Sequence, residues 1–441
     1  MTENTRKPLV HRAWWVALAA CLTIVGAAAF SAVPGLLTGP LHDEYHWSRT
    51  SIGAAASVNM VVYGLVAPFA AALMDRFGVR RTVVGALSAV AAGSALTVSM
   101  TEAWQFTLYW GLIIGAGTGS LAMTFAATVA HRWFTARRGL VLGALTGASA
   151  FGQLVFLPVL AWIVDHHSWR PAVVTLGMTA LVLVAVAVLV LRDRPADVGL
   201  LPYGAPEPGG PGTAAPGGRR REARARSGAA RRTLRVLATS SRRPGFWLLA
   251  GMFAVCGATT NGLMWTHFVP AAHDHGMAVT AAAGLVSVIG VFSLVGTVVS
   301  GWLTDRVDPR ALLVGYYGAR GVLLVLLPAL FGPEAGPVMV GFAVVFGLLD
   351  VATVPPTILL CRRMFGADGA IVFGWVNAFH QVGAGAVAVL GGVVRDAAGG
   401  YGPVWPLTAA LCAFAVLLAL TLPRAERTAP APAADREAAG A

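Results

Sequence analysis

Long apolar runs alternate with short polar breaks along almost the whole chain. A helix crossing a hydrocarbon layer of roughly 30 Å needs about 20 apolar residues. Twelve runs reach about that length, at residues 13–38, 51–74, 82–98, 104–130, 139–164 and 172–191, then 245–270, 281–303, 311–330, 337–360, 370–394 and 405–422. Glycine and other small residues are frequent inside them, as in helices that pack closely in lipid. The pattern predicts an all-α membrane protein with twelve transmembrane helices. One long hydrophilic segment, residues 192–243, divides the runs six and six. The expected organisation is a tail at 1–12, a six-helix bundle at 13–191, a linker at 192–243, a second six-helix bundle at 244–422 and a tail at 423–441. The linker is rich in Gly, Pro, Ala and Arg. Such a composition cannot bury a core, so a disordered segment is expected.

Charge gives the orientation. Of the 441 residues 56% are hydrophobic and 12% charged, about half the charged share of a soluble protein. The net charge of +12 would suit a nucleic-acid partner, but its placement argues otherwise. In this topology 28 of the 32 Lys and Arg lie on one side, Arg49, Arg170 and Arg395 lie on the other, and Arg320 lies within a span. The positive-inside rule then puts both termini in the cytoplasm of a multi-pass protein of the cytoplasmic membrane. The twelve arginines of the linker face the anionic inner leaflet. The first run follows a basic start, as a signal peptide would, but it is too long for one and its loss would break the even helix count. Four cysteines without a CxxC spacing suggest neither a disulfide framework nor a metal site, and no cofactor is expected.

Two short segments repeat between the halves. Asp75, Arg76, Gly78, Arg80 and Arg81 follow the second helix, and Gly301, Asp305 and Arg306 close the eighth. An acid at a helix end can meet the N-terminus of a neighbouring helix, while the arginines form ion pairs that break and re-form as one bundle rocks on the other. Ordinary surface charge is the alternative. Two six-helix repeats around a central cavity are a standard secondary-transporter architecture.

The Asp75-Arg76-x-Gly78-x-Arg80-Arg81 segment resembles the signature between helices 2 and 3 of the major facilitator superfamily, with Ala71 where the leading Gly usually stands. Within it, Trp47-Ser48-Arg49, the Trp133-Phe134-x-x-Arg137-Arg138-Gly139 run and Arg194-Pro195-x-Asp197-x-Gly199 resemble the monocarboxylate transporter family and its bacterial oxalate/formate exchanger relatives. The resemblance implies the major facilitator fold, two pseudo-symmetric bundles around a solute pathway, and secondary active transport. It does not carry over the carboxylate-binding charges. Where animal members have an Asp and an Arg in helix 8 this chain has Ser293 and Thr297, Gly35 follows Pro34 where they have a Lys, and His380 stands where the exchangers have a Lys.

Ionisable groups inside the membrane cost at least about 2.5–3.5 kcal/mol, so each needs a reason. Arg320 in helix 9, Asp350 in helix 10 and His380 in helix 11 stand near mid-depth. Arg320 and Asp350 can meet on adjacent antiparallel helices, as a proton- or substrate-sensitive pair or as a fixed structural one. His380 with Asn377 and Gln381 forms a polar patch, and Asn261 and Gln153 are uncharged candidates for orienting a ligand. Pro34-Gly35 and Pro355-Pro356 are candidate flexing points. The reading is a carrier, not an enzyme, that moves a small organic solute such as a carboxylate by proton-coupled or exchange alternating access. It would work as a monomer whose partners are the solute, protons and membrane lipid. Efflux of drug-like compounds and a non-transporting sensor with the carrier fold are the alternatives.

Overall fold

The computed structural model of the chain describes residues 11–31, 33–121, 123–205 and 229–422. Most of the N-terminal tail, the middle of the linker at 206–228 and the tail from 423 lie outside the described residues.

Among the described residues the regular elements are helices, joined by short loops. We label the membrane-crossing helices α1 (Arg12–Tyr45), α2 (Arg49–Phe77), α3 (Val79–Val98), α4 (Ala103–Trp133), α5 (Arg138–His166), α6 (Trp169–Val190), α7 (Pro244–Asp274), α8 (Val279–Thr304) and α9 (Pro309–Leu330). Next come α10, in two pieces at Pro337–Asp350 and Val354–Phe365, then α11 (Gly369–Ala398) and α12 (Val404–Thr421). The apolar run Pro337–Ala398 holds both α10 and α11. It doubles back through a tight turn at Gly366–Asp368, entered by Gly366 at φ +55°. The helices run a few residues past the apolar stretches because polar caps continue them beyond the oily layer; Ser48, for example, caps α2 by accepting from the Ser51 N–H at 3.1 Å.

Packing repeats between the halves. In the first, α3 packs on α6, α1 on α5 and α2 on α4; in the second, α9 packs on α12, α7 on α11 and α8 on α10. The seams between halves follow the same symmetry, with α2 against α11 and α5 against α8, and α1 meets α7 across the centre. Glycines allow these approaches. A Cβ at Gly53 would lie 2.4 Å from the Ala388 carbonyl oxygen, and one at Gly35 would lie 2.8 Å from that of Trp265. Without a hydrophobic drive between helices in lipid, such backbone contact is what holds the bundle.

The expectation of disorder in the linker fails for residues 192–205 and 229–243, while 206–228 lie outside the described residues. Its described parts are ordered: Pro195–Val198 forms a 3-10 turn, and Ala229–Ser240 forms a helix. Tyr203 donates its N–H to the Trp133 carbonyl at 2.8 Å and packs edge-on against Trp14. In the linker helix Thr233, Val236 and Ser240 are buried at helical spacing. Trp375 of α11 donates to the Thr233 carbonyl at 3.0 Å, and Arg232 pairs with Asp368 at 3.0 Å. The linker helix packs its buried face on the ends of α2 and α11.

Candidate functional site

The face where α1 begins carries the linker and is called the basic face below. A cavity of ≈ 250 Å³ lies between the halves. From the first half Asn59, Tyr63, Thr118, Ser149 and Gln153 line it, and from the second Asn261 and Gln381. None of its lining residues carries a formal charge. Asn59 is held by its amide donating to the Trp110 carbonyl at 2.7 Å. Leu145 and Ala126 in the lining are each seven residues from the basic-face ends of α5 and α4, so the cavity reaches to within roughly 10 Å of that face.

The opposite face is sealed across the halves. Asp396 of α11 accepts from the Arg49 N–H at 3.2 Å, the Thr50 N–H at 2.9 Å and the Thr50 hydroxyl at 2.6 Å, so a carboxylate from one half caps α2 of the other. Asp274 binds Arg395 at 2.7 Å and lies 3.9 Å from Arg49. At the second seam Asp165 of α5 accepts from the Thr280 N–H of α8 at 3.1 Å. These contacts are exposed, so each is worth at most about 1 kcal/mol; the group together holds the face shut by about 1–2 kcal/mol. Asp396 makes about half of these contacts, so Asp396→Ala is expected to raise labelling of a cysteine placed at Ala56 by a reagent added from the opposite face about 2- to 5-fold. Unchanged labelling would show that Asp396 holds nothing closed.

Three of the candidates named from sequence meet at the cavity: Gln153, Asn261 and Gln381. His380 points elsewhere. Its ring packs 5.0 Å from Phe253 of α7, its backbone crowds Gly257, and its buried Nδ1 has no hydrogen-bond partner. Adjacent positions on a helix face about 100° apart, so the patch splits between cavity and helix contact. Asn377 is half-buried on the same helix.

Arg320 and Asp350 do come together, with 0% and 1% exposure, but not as the carboxylate pair expected from their depths. Arg320 donates through Nη2 to the carbonyl oxygens of Leu349, at 2.7 Å, and Asp350, and through Nη1 to the Thr259 hydroxyl at 3.0 Å. The Asp350 carboxylate faces the Ser293 hydroxyl at 3.4 Å through one oxygen, and its other oxygen has no partner. Cys256 completes the cluster, 3.1 Å from the Thr353 hydroxyl and 3.6 Å from Arg320. Thr259 and Thr260 precede Asn261, so the cluster stands directly behind the cavity wall.

The two repeated segments differ. Asp75 pairs with Arg132 at 2.5 Å, from α2 to α4 within one half. The acid that meets a helix N-terminus is Asp193, which follows α6 and accepts from the Arg80 N–H at 2.8 Å. A Cβ on Gly78, at φ +89°, would lie 2.3 Å from that carboxylate. Only glycine fits both the turn and the approach. Arg76 and Arg81 are exposed. In the second half Asp305 and Arg306 are exposed, Gly301 has open space beside it, and Arg306 lies over the Trp302 ring at 4.1 Å. Only the first copy ties helices together.

Paired bundles, a cavity on their shared axis and one sealed face are the geometry of an alternating-access carrier. The family model described as Major Facilitator Superfamily matches residues 18–371. The chain belongs to the Major Facilitator Superfamily. This member is a multi-pass membrane transporter, and its similarities run in two directions. It is 29% identical to Monocarboxylate transporter 13 of Bos taurus over 352 residues, 78% of this chain and 74% of that one. It is 26% identical to the uncharacterized MFS-type transporter YcxA of Bacillus subtilis over 407 residues, 88% of this chain and 90% of that one. Among solved structures it resembles the xylose transporter XylE from E. coli in a partially occluded inward open conformation, with a TM-score of 0.67 at 14% identity, covering 95% of this chain and 99% of that one. That likeness concerns the fold.

Proposed function

We propose that this superfamily member carries a small carboxylate-type solute across the cytoplasmic membrane by alternating access, with both termini cytoplasmic and protons as the coupling ion. The observation that carries the proposal is the uncharged, hydrogen-bonding cavity of ≈ 250 Å³ set in front of a buried Arg320–Asp350 cluster. That volume lies below the range typical of drug-sized ligands, which supports a small solute over efflux of large amphipathic ones. Gln153, Asn261 and Gln381 offer amide donors to a carboxylate. Amides alone do not offset the cost of taking a charge out of water. Proton uptake by Asp350 supplies the rest, because it leaves the Arg320 charge uncompensated beside the cavity. His380, with a free ring nitrogen, is the candidate to pass the proton. The similarity to relatives named monocarboxylate transporters supports the same solute class.

Purified protein in liposomes, given a panel of short carboxylates, neutral polyols and lipophilic cations under an imposed pH gradient, tests the proposal. Accumulation of one or more carboxylates is expected, and Gln153→Ala with Gln381→Ala should raise KM at least about tenfold through two lost hydrogen bonds. Accumulation of the cations alone would overturn it.

A further inference from the structure

The break in α10 leaves main-chain acceptors that something must satisfy. Pro355 and Pro356 have no N–H to offer the carbonyls of Val351 and Ala352, four residues earlier. Val354 turns its N–H to the Val351 carbonyl at 3.1 Å instead of the Asp350 carbonyl. Ser300 of α8 fills the Ala352 carbonyl at 2.5 Å. The Leu349 and Asp350 carbonyls remain, and one nitrogen of Arg320 takes both. Around the guanidinium stand the Thr259 hydroxyl, the Cys256 sulfur and, close by, the Asp350 carboxylate. The Thr260 hydroxyl near that carboxylate donates elsewhere, to the Cys256 carbonyl at 2.6 Å.

Unwound carbonyls at the C-terminal end of a half-helix, with a carboxylate beside them, are what carriers with discontinuous helices use to hold a coupling cation. In this chain a side chain already stands there. We infer that Arg320 is a tethered cation permanently filling a monovalent-cation seat made by broken α10, so that the carrier takes no free metal cation at this position. A guanidinium suits the seat because it is planar, always charged and donates in several directions at once, whereas a lysine ammonium is a compact point charge. Cutting the side chain back empties a seat of matching shape, whose natural filler is free guanidinium. The inference rests on the carrier reading only where uptake is measured.

Arg320→Ala tests it by thermal unfolding in detergent with millimolar guanidinium chloride, sodium chloride or potassium chloride. A saturable rise in Tm with guanidinium is expected for the variant, larger than with either salt and absent in the unaltered protein. In liposomes Arg320→Ala should lose at least about tenfold in uptake, from breaking buried charge contacts, and recover part of it with guanidinium inside and outside. A folded variant whose Tm ignores guanidinium overturns the inference. A second arm uses unaltered protein: replacing all sodium by choline should leave uptake unchanged, and a sodium requirement would overturn the inference even if Arg320→Ala fails to fold. Tm rescue in a protein that moves no solute would leave the seat standing and remove the carrier reading.

Discussion

Gly257→Ala is expected to lower the Tm more than any other single-methyl change at the glycines of α7 or α11. A Cβ at Gly257 would stand 1.8 Å from the His380 carbonyl oxygen and 2.6 Å from its carbon. The contact is reciprocated, since a Cβ at Gly383 of α11 would lie 2.0 Å from the Ala254 carbonyl oxygen of α7. Both obstacles are backbone, which cannot rotate aside. A carbon resting on a carbonyl oxygen needs roughly 3.3 Å, so α7 and α11 must separate by roughly 1.5 Å. Overpacking of a fitted interior typically costs about 1–3 kcal/mol, and two rigid backbones put this case at or above the upper end. The same separation moves Asn261 and Gln381, which face the cavity from these two helices. Gly341→Ala is the control, because its added methyl meets open space. Equal melting temperatures for the two variants would mean that α7 and α11 do not cross as described.

Such crossings mark the boundary of what the amino-acid pattern reveals. The membrane-spanning helical fold and the break at Pro355-Pro356 are legible, because each depends on local chemistry: apolar length or a missing N–H. Small residues were visible too, but not which carbonyl each one meets. The cavity face was harder still. Asn59, Tyr63 and Ser149 are uncharged, and inside an apolar run nothing separates a residue on the solute pathway from one bonded to a neighbouring helix. Arg320 and Asp350 were found from the cost of burying charge, yet their geometry was not, since it depends on which carbonyls the broken α10 leaves open. In the sequence Asp193 is one charge among several in a polar exit from α6; its role appears only when Gly78 brings α3 beneath it. In the linker the face formed by Thr233, Val236 and Ser240 was present in the sequence, hidden by the surrounding Gly, Pro and Arg.

Asp350→Asn should separate coupling from solute movement. Under the proposed coupling the carboxylate must gain a proton before the Arg320 charge is felt in the cavity, so lower pH on the uptake side is expected to raise carboxylate accumulation. Asparagine is nearly isosteric with the protonated acid and cannot release or take a proton. The Ser293 hydroxyl, which already donates to its own α8 backbone at 2.8 Å, loses only a long contact to the carboxylate. Folding is therefore retained. Neutralising the carboxylate leaves the buried Arg320 guanidinium without its nearby countercharge, so the Tm should fall, while the carbonyls of Leu349 and Asp350 and the Thr259 hydroxyl still hold the guanidinium in place. Net accumulation driven by a pH gradient should fall at least about tenfold, the loss that follows when a group essential to coupling is removed. Exchange of labelled for unlabelled solute across the same membrane should continue, because the variant is fixed in the solute-binding charge state. Its rate should be flat between acid and neutral pH, where the unaltered protein's rate rises toward acid. An Asp350→Asn protein that still accumulates solute in response to a pH gradient would place the coupling proton elsewhere in the bundle. Loss of exchange and accumulation together, in folded protein, would make Asp350 part of the solute path instead of the proton path.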